Sequence, residues 1–311
     1  MRSNPPIMNL RDLTAFIAVC LFWGLNFVVA KFAITGLPGW SPGFGGVPPI
    51  AFAFLRFLVL ALILFPFLRP LPKQWGTLVL VAMGMGCLQY VLIFIGLETA
   101  TPSGMALVLQ SGVPFVTLLS VVWLKEKIGW ARGTGTALAI AGVLLVVANP
   151  AELTLAIGLL YGLGAALVSS VAMILIRRID MKPMRLQAWI GLISAPILFI
   201  GTAAFETGQA EAVMSGGWMF AAALAFTVIL VNVYGHGVFY YVLQKYETTL
   251  VAPLTLLAPL IGVASGILLT GDPFGWRLAV GGLLTLAGAG IVASRPNKAL
   301  PDAALVREES L

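Results

Sequence analysis

Charged side chains are scarce in this chain. Only 10% of its 311 residues are Asp, Glu, Lys or Arg, against 60% hydrophobic residues, and the mean hydropathy is +1.02. A soluble domain could not cover its surface from so small a polar supply, so the composition places the chain in a membrane. Histidine occurs once, at His236, and cysteine twice, at Cys20 and Cys87, each inside an apolar run. Residues so few and so scattered give neither a disulfide framework nor metal-ligand spacing, and no cofactor is expected. Small packing roles suit both cysteines. The carboxylates Asp12, Glu98, Glu126, Glu152, Asp180, Glu206, Glu211, Glu247 and Asp272 stand at the ends of apolar runs or between them. With no nucleophile–base pair and no carboxylate pair inside the spans, an intramembrane enzyme is not expected. The net charge of +6 resides in connections between apolar runs, which argues topology and not a nucleic-acid partner.

What the chain has in abundance is apolar length. Runs able to span a bilayer, or nearly so, lie near 13–35, 48–68, 75–97, 102–124, 132–148, 153–176, 187–206, 218–243, 249–270 and 276–294. The first is too long for a signal peptide, and Ala18-Val19-Cys20 offers no convincing cleavage pattern. Apart from Lys31 and Arg56 within spans and Arg277 in a loop, the basic residues crowd into alternate connections. The positive-inside rule then puts both termini in the cytoplasm.

The two halves also match each other. Lys125–Val147 reads KEKIGWARGTGTALAIAGVLLVV, and Gly271–Ala293, 146 positions later, reads GDPFGWRLAVGGLLTLAGAGIVA. Glu126 falls on Asp272, Gly129 on Gly275, Trp130 on Trp276, Gly135 on Gly281 and Gly142 on Gly288. Because each half has an odd number of spans, its copy enters the membrane from the other side. The expected fold is an all-α integral membrane protein of ten helices, an inverted five-plus-five repeat. Residues 1–148 form the first repeat and 149–294 the second, followed by a cytoplasmic tail at 295–311, expected to be disordered.

Several segments carry a family resemblance: FWGLNFVVAKF at Phe22–Phe32, LRF at Leu55–Phe57, TPSGMALVLQ at the start of the fourth span and YETTLVAPLTLLAPLIGVASGILL across the eighth and ninth. Together they resemble the EamA type of the drug/metabolite transporter superfamily, and WGLNFVV, LVLQ and YET with VAPL resemble its bacterial O-acetylserine and cysteine exporters. The resemblance spans essentially the whole chain. It implies a multi-pass protein of the bacterial inner membrane that exports amino acids or related metabolites. The Gly/Pro-rich outer segment at 36–49 is longer than is usual in the family, and Gly271-Asp272 replaces a more typical acidic pair.

Polar side chains within spans are costly unless paired or facing water, so each is a candidate site residue. Trp23 and Asn26 share a face of the first span; Gln89 and Tyr90 lie in the third, Gln110 and Ser111 in the fourth, and Asn232, Tyr234, His236 and Tyr240 in the eighth. Asn232, His236 and Tyr240, at four-residue spacing, form one stripe. Amides, an imidazole and aromatic faces could together hold the carboxylate, ammonium and side chain of an amino acid. The structural alternatives are that Ser111, Ser169 and Ser170 only bond between helices, that His236 is a satisfied interior group and that Trp75, Trp123, Trp130 and Trp276 are interfacial anchors.

Lys31, near the end of its span, can snorkel. Arg56 stands about nine residues, at ~1.5 Å each, below the outer boundary, and its expected partners are backbone carbonyls of a broken helix, with substrate contact as the second reading. Pro114, and Pro253 with Pro259, interrupt the matching fourth and ninth spans and mark moving parts near a midplane site. Glycines in the fifth and tenth spans suit close helix packing, with a homodimer interface as one outlet. The expected function is amino-acid export by alternating access and facilitated diffusion, with a small-molecule substrate and the lipid bilayer as partners. The competing readings are a proton-coupled exporter of drugs or other metabolites, and a nontransporting scaffold or lipid-handling subunit.

Overall fold

A computed structural model describes residues 8–36, 43–148, 153–246 and 248–294. Among these residues the protein is all-helical, with ten apolar helices in chain order. They are α1 Leu10–Thr35, α2 Pro49–Ile63, α3 Trp75–Thr99, α4 Pro102–Leu124, α5 Trp130–Val147, α6 Leu153–Ile176, α7 Pro183–Phe205, α8 Gln209–Lys245, α9 in two pieces at Thr248–Leu254 and Leu257–Thr270, and α10 Trp276–Ala293. All but α2 and α9 are unbroken enough, long enough and apolar enough to cross a membrane. The expected span at 48–68 stops early because Phe65–Leu68, which contains Pro66, tightens into a 3-10 turn. The proposed tail at 295–311 and part of the 36–49 segment lie outside the described residues.

Helix starts follow from local chemistry. Asn9 accepts a hydrogen bond from Asp12 N at 2.8 Å, and Thr101 one from Gly104 N at 3.2 Å, each capping a helix start. Pro49, Pro102 and Pro183 occupy first-turn positions, where no N–H is needed. Glu206, after α7, accepts from Ile50 N and Ala51 N at 2.7 and 2.8 Å, setting a carboxylate on the N-terminus of α2. In α8 the backbone turns sharply at Gly217 (φ 51, ψ −144), so the membrane helix proper begins near residue 218, as the sequence suggests.

The repeat is visible in the packing. A Cβ on Gly135 of α5 would lie 2.9 Å from Gly288 O of α10, and one on Gly281 of α10 would lie 2.8 Å from Gly142 O of α5. These two contacts exchange when the halves are exchanged, and they run antiparallel, as an inverted repeat requires. The glycine faces of α5 and α10 are therefore spent on each other within one chain, and that pairing uses the surface on which the sequence suggested a homodimer. Other helices interleave across the halves in the same way. Gly24 of α1 sits so close to α9 that a Cβ would come 2.7 Å from Ala258 O. Its counterpart Ser170, on α6, donates to Gly112 O of α4 at 3.2 Å.

The outer segment is not a free loop where it is described. Val47 N donates to Ala33 O at 2.8 Å, and the Phe44 ring lies 5.5 Å from Phe32 and 6.1 Å from Phe220. Phe44 thus closes the ends of α1 and α8 with an aromatic plug. Trp75, Trp123, Trp130 and Trp276 are all exposed at helix ends, in keeping with anchoring, and Trp75 also packs edge-on to Trp189 at 5.0 Å.

Candidate functional site

Two helices carry wide π-type turns, Ala82–Leu88 in α3 and Phe226–Gly235 in α8. They occupy matching places in the two repeats, since residue 82 corresponds to 228 and 88 to 234. An extra residue in a turn re-aims the side chains around it and frees carbonyls, and such turns often serve functional sites. Gln89 and Tyr90 follow the first turn, Asn232 lies within the second and His236 follows it.

The centre of the site is Arg56 of α2, which is fully buried. Its Nη2 donates to Asn232 Oδ1 at 2.5 Å and to Tyr90 OH at 3.3 Å. Its guanidinium carbon also stands 4.4 Å from the centre of the Tyr90 ring, a cation–π contact. The expected backbone partners are not the ones found: α2 packs against α1, α3, α7 and α8, and carbonyls beside the helix breaks accept from other groups. Ser170 donates to Gly112 O in α4, and Cys20 to Leu254 O in α9 at 3.5 Å. Arg56 instead reads side chains from both halves of the repeat.

Beside it lies an aromatic wall. Trp23 Nε1 donates to Val231 O at 3.2 Å, a carbonyl of the wide turn, and its ring stands 5.5 Å from His236 and 5.3 Å from Phe239. His236 Nδ1 is 3.1 Å from Asn232 O, and its ring is 6.1 Å from Tyr240. The stripe Asn232–His236–Tyr240 is therefore continuous, with Asn232 turned to Arg56, His236 to Trp23 and Tyr240 to His236 and Phe239. Tyr234 departs from it and meets Phe22 edge-on at 5.7 Å.

Asn26 Oδ1 and Gln89 Oε1 are buried and make no hydrogen bond. Gln110 and Ser111 sit in a 3-10 turn, Leu109–Ser111, that divides α4, and Ser111 Oγ is likewise unpartnered. Among the described residues, no hydrogen bond or ring contact ties Gln110 or Ser111 to the Arg56 cluster. The corresponding break in α9 falls between Leu254 and Leu257, so both helices are discontinuous at matching positions. Pro114 and Pro259 each stand in the first turn after the break, where a missing donor costs nothing, and Pro253 stands near the end of the segment before it. Lys31, half-buried, reaches the end of a neighbouring helix. Its Nζ donates to Leu97 O, Glu98 O and Ala100 O, at 2.5, 3.0 and 3.2 Å, which caps the C-terminus of α3.

Three acidic contacts were not visible in the sequence. Asp272 accepts from Ser103 N at 2.8 Å and Ser103 Oγ at 2.6 Å, capping α4 from the end of α9. Asp12 accepts from Lys245 and Tyr246, and Glu126 from Arg177 at 3.3 Å. For Asp272 and Glu126 the signal available was the repeat itself, which pairs Glu126 with Asp272 and Lys31 with Arg177.

Residues 11–148 and 156–294 each match the EamA-like transporter family. The chain belongs to that family. It is accordingly a multi-pass membrane transporter of the drug/metabolite transporter superfamily. The transporter is 29% identical over 297 residues to a Salmonella typhimurium protein named "Probable amino-acid metabolite efflux pump", covering 90% of this chain and 94% of that one. An Escherichia coli protein of the same name is 28% identical over 294 residues, with the same coverage. A solved crystal structure, 18% identical, covers 91% of the transporter and 96% of its own chain at a TM-score of 0.54 and shares the fold.

Proposed function

We propose that the transporter exports amino acids or closely related small metabolites from the cytoplasm by alternating access of its two halves. The observation that carries this reading is the bond from Arg56 of the first repeat to Asn232 of the second, which sets a charged, hydrogen-bonding centre on the seam between them. Trp23, Asn26, Gln89, Tyr90, Gln110, Ser111, Asn232, Tyr234, His236 and Tyr240 are the candidate lining, and the matching breaks in α4 and α9 supply the flexible points. The names of the Salmonella and Escherichia relatives favour amino-acid metabolites as cargo. In this reading the protein sits in a bacterial inner membrane with both termini in the cytoplasm, a topology that the crowding of basic residues into alternate loops supports. Neither an enzymatic reaction nor a cofactor enters this reading.

The driving force in this proposal is the substrate gradient. Proton-coupled carriers titrate an intramembrane acid or histidine, and His236, bonded to the Asn232 carbonyl and packed on Trp23, is the one such group away from the helix ends among the described residues. Uptake of a panel of labelled amino acids into proteoliposomes tests the substrate class, and a flat panel would return the protein to the scaffold or lipid-handling reading. With equal substrate on both sides and an imposed pH gradient, facilitated diffusion gives no net accumulation. Uphill transport that His236→Gln abolishes would establish the proton-coupled alternative.

A further inference from the structure

Among the described residues Arg56 is the largest side chain that is buried completely. A buried guanidinium is expensive unless its charge is met and its donors are used. Here Nε and Nη1 make no hydrogen bond, and Nη2 meets two neutral groups. Most of the donors that a guanidinium carries are uncommitted. Among the described carboxylates none pairs with it: Asp12 is held by Lys245, Glu126 by Arg177, Glu206 by the α2 N-terminus and Asp272 by Ser103. Glu98, Asp180 and Glu211 stand at helix ends and in connections.

The fold itself does not require a charge at this place. α2 and α7 both begin at a proline, Pro49 and Pro183, so Arg56 corresponds to Ile190, and the 146-residue offset makes Asn232 correspond to Gly86 and Tyr90 to His236. In the second copy of the contact Gly86 closes directly on α7, where a Cβ would come 2.9 Å from Ile190 Cγ2. One seam is uncharged and tightly packed, with the Ser194 hydroxyl also against Gly86 and donating to Ala82 O at 3.2 Å. Its twin carries a lone cation and an amide, together with two orphaned acceptors, Asn26 Oδ1 and Gln89 Oε1, on the adjoining helices α1 and α3.

We propose that Arg56 is the receptor for the substrate's carboxylate, with the amide oxygens of Asn26 and Gln89 taking its ammonium, so that the cargo is a zwitterionic α-amino acid and not an organic cation or neutral solute. This rests on the transport reading above and narrows it. The carboxylate supplies the missing counter-charge, and the ammonium meets only neutral oxygens. An amine without the carboxylate would face an uncompensated guanidinium of its own sign. A deaminated acid keeps the main attraction and loses only the weaker one. Because Asn232 belongs to the other repeat, a carboxylate seated on Arg56 also touches the bond that joins the halves.

The test uses wild-type protein in liposomes, corrected against protein-free liposomes. Four compounds sharing one side chain are compared as competitors of the labelled amino acid carried fastest: L-leucine, 4-methylpentanoate, L-leucinamide and isoamylamine, with the phenylalanine series alongside. Leucine and the deaminated acid are expected to compete at least about tenfold better than the amide and amine, the cost of losing a buried charged partner. In Arg56→Gln that preference is expected to fall within about threefold, with Arg56→Lys between. Equal competition by acid and amide in the wild type overturns the proposal, as does an undiminished preference in Arg56→Gln. If Arg56→Gln does not fold, the wild-type series decides alone. If no amino acid is carried, the transport reading fails, and thermal shifts of purified protein with the same compounds decide the Arg56 assignment. Stabilisation by acids and not amides upholds it, and no difference overturns it.

Discussion

Lys245 Nζ lies 2.7 Å from Asp12 Oδ2, tying the last residue of α8 to the first turn of α1, and Tyr246 OH donates to the same oxygen at 2.7 Å. The repeat supplies a contrast on the opposite face. There Asp12 corresponds to Gly158 and Lys245 to Thr99, and a Cβ on Gly158 would lie 2.5 Å from Thr99 Oγ1 and 2.6 Å from Gly96 O. One face is sealed by close backbone packing of α3 on α6, the other by an ion pair that water can replace. The ion-paired face is expected to open first.

Asp12→Asn should therefore loosen α1 from α8 at that face. Cys20 is fully buried beneath the contact, in the cluster with Phe16, Val242 and Tyr246. In a Cys87→Ser background, the rate at which a maleimide alkylates Cys20 is expected to rise severalfold in Asp12→Asn. An unchanged rate would show that the pair does not hold the helices together.

Asn232→Asp should stop transport while leaving the protein folded. The new carboxylate would sit where Asn232 Oδ1 now bonds Arg56 at 2.5 Å, and a tethered anion outcompetes a dilute one through its effective concentration. Flux is expected to fall by more than about tenfold, with size-exclusion elution unchanged. Wild-type flux in this variant would remove Arg56 from the site.

Trp23→Ala and Gln110→Ala separate two parts of the proposed lining. Trp23 is joined to the wide turn of α8 and to His236, and its loss should reduce flux and also unsettle that turn. Among the described residues no hydrogen bond or ring contact joins Gln110 to the Arg56 cluster, so its loss should reduce flux only if its helix break faces the substrate path. Each variant is read by initial rate against surface-expressed protein, and normal rates in both would refute the lining.

Gly288→Val tests the pairing of α5 with α10. A side chain there would strike Ala139 N and Gly135 O, backbone atoms that cannot give way without parting the helices. Overpacking of this kind costs about 1–3 kcal/mol, so the melting temperature in detergent should drop by several degrees. A melting temperature equal to the wild type would mean that the two helices do not meet as described.

Much of the architecture could be read from the chain. Long apolar runs, a duplication aligned on Gly135/Gly281 and Gly142/Gly288, and prolines at helix starts are local signals, and the helices appear where those signals put them. The partners of the buried polar residues were not legible. Arg56 finds Asn232 176 positions away, beside a wide turn that periodicity does not reveal, and α2 packs on α3, α7 and α8, a choice of neighbours made only in the tertiary fold. Lys31 was equally ambiguous, since snorkelling and capping α3 ask the same thing of a lysine near a helix end.

The sequence by itself determined that this protein crosses a membrane many times, that it does so in two copies and which few polar side chains must be buried, because hydropathy and repetition act over consecutive residues. The tertiary structure alone decided what those side chains meet. It spent the glycines of α5 and α10 on each other, set Lys31 and the carboxylates on helix ends and left Arg56 without a counter-charge. In a solvent that offers no hydrogen bonds, the choice of partner fixes the energy of every polar group, and partners are chosen by helices that are far apart in the chain.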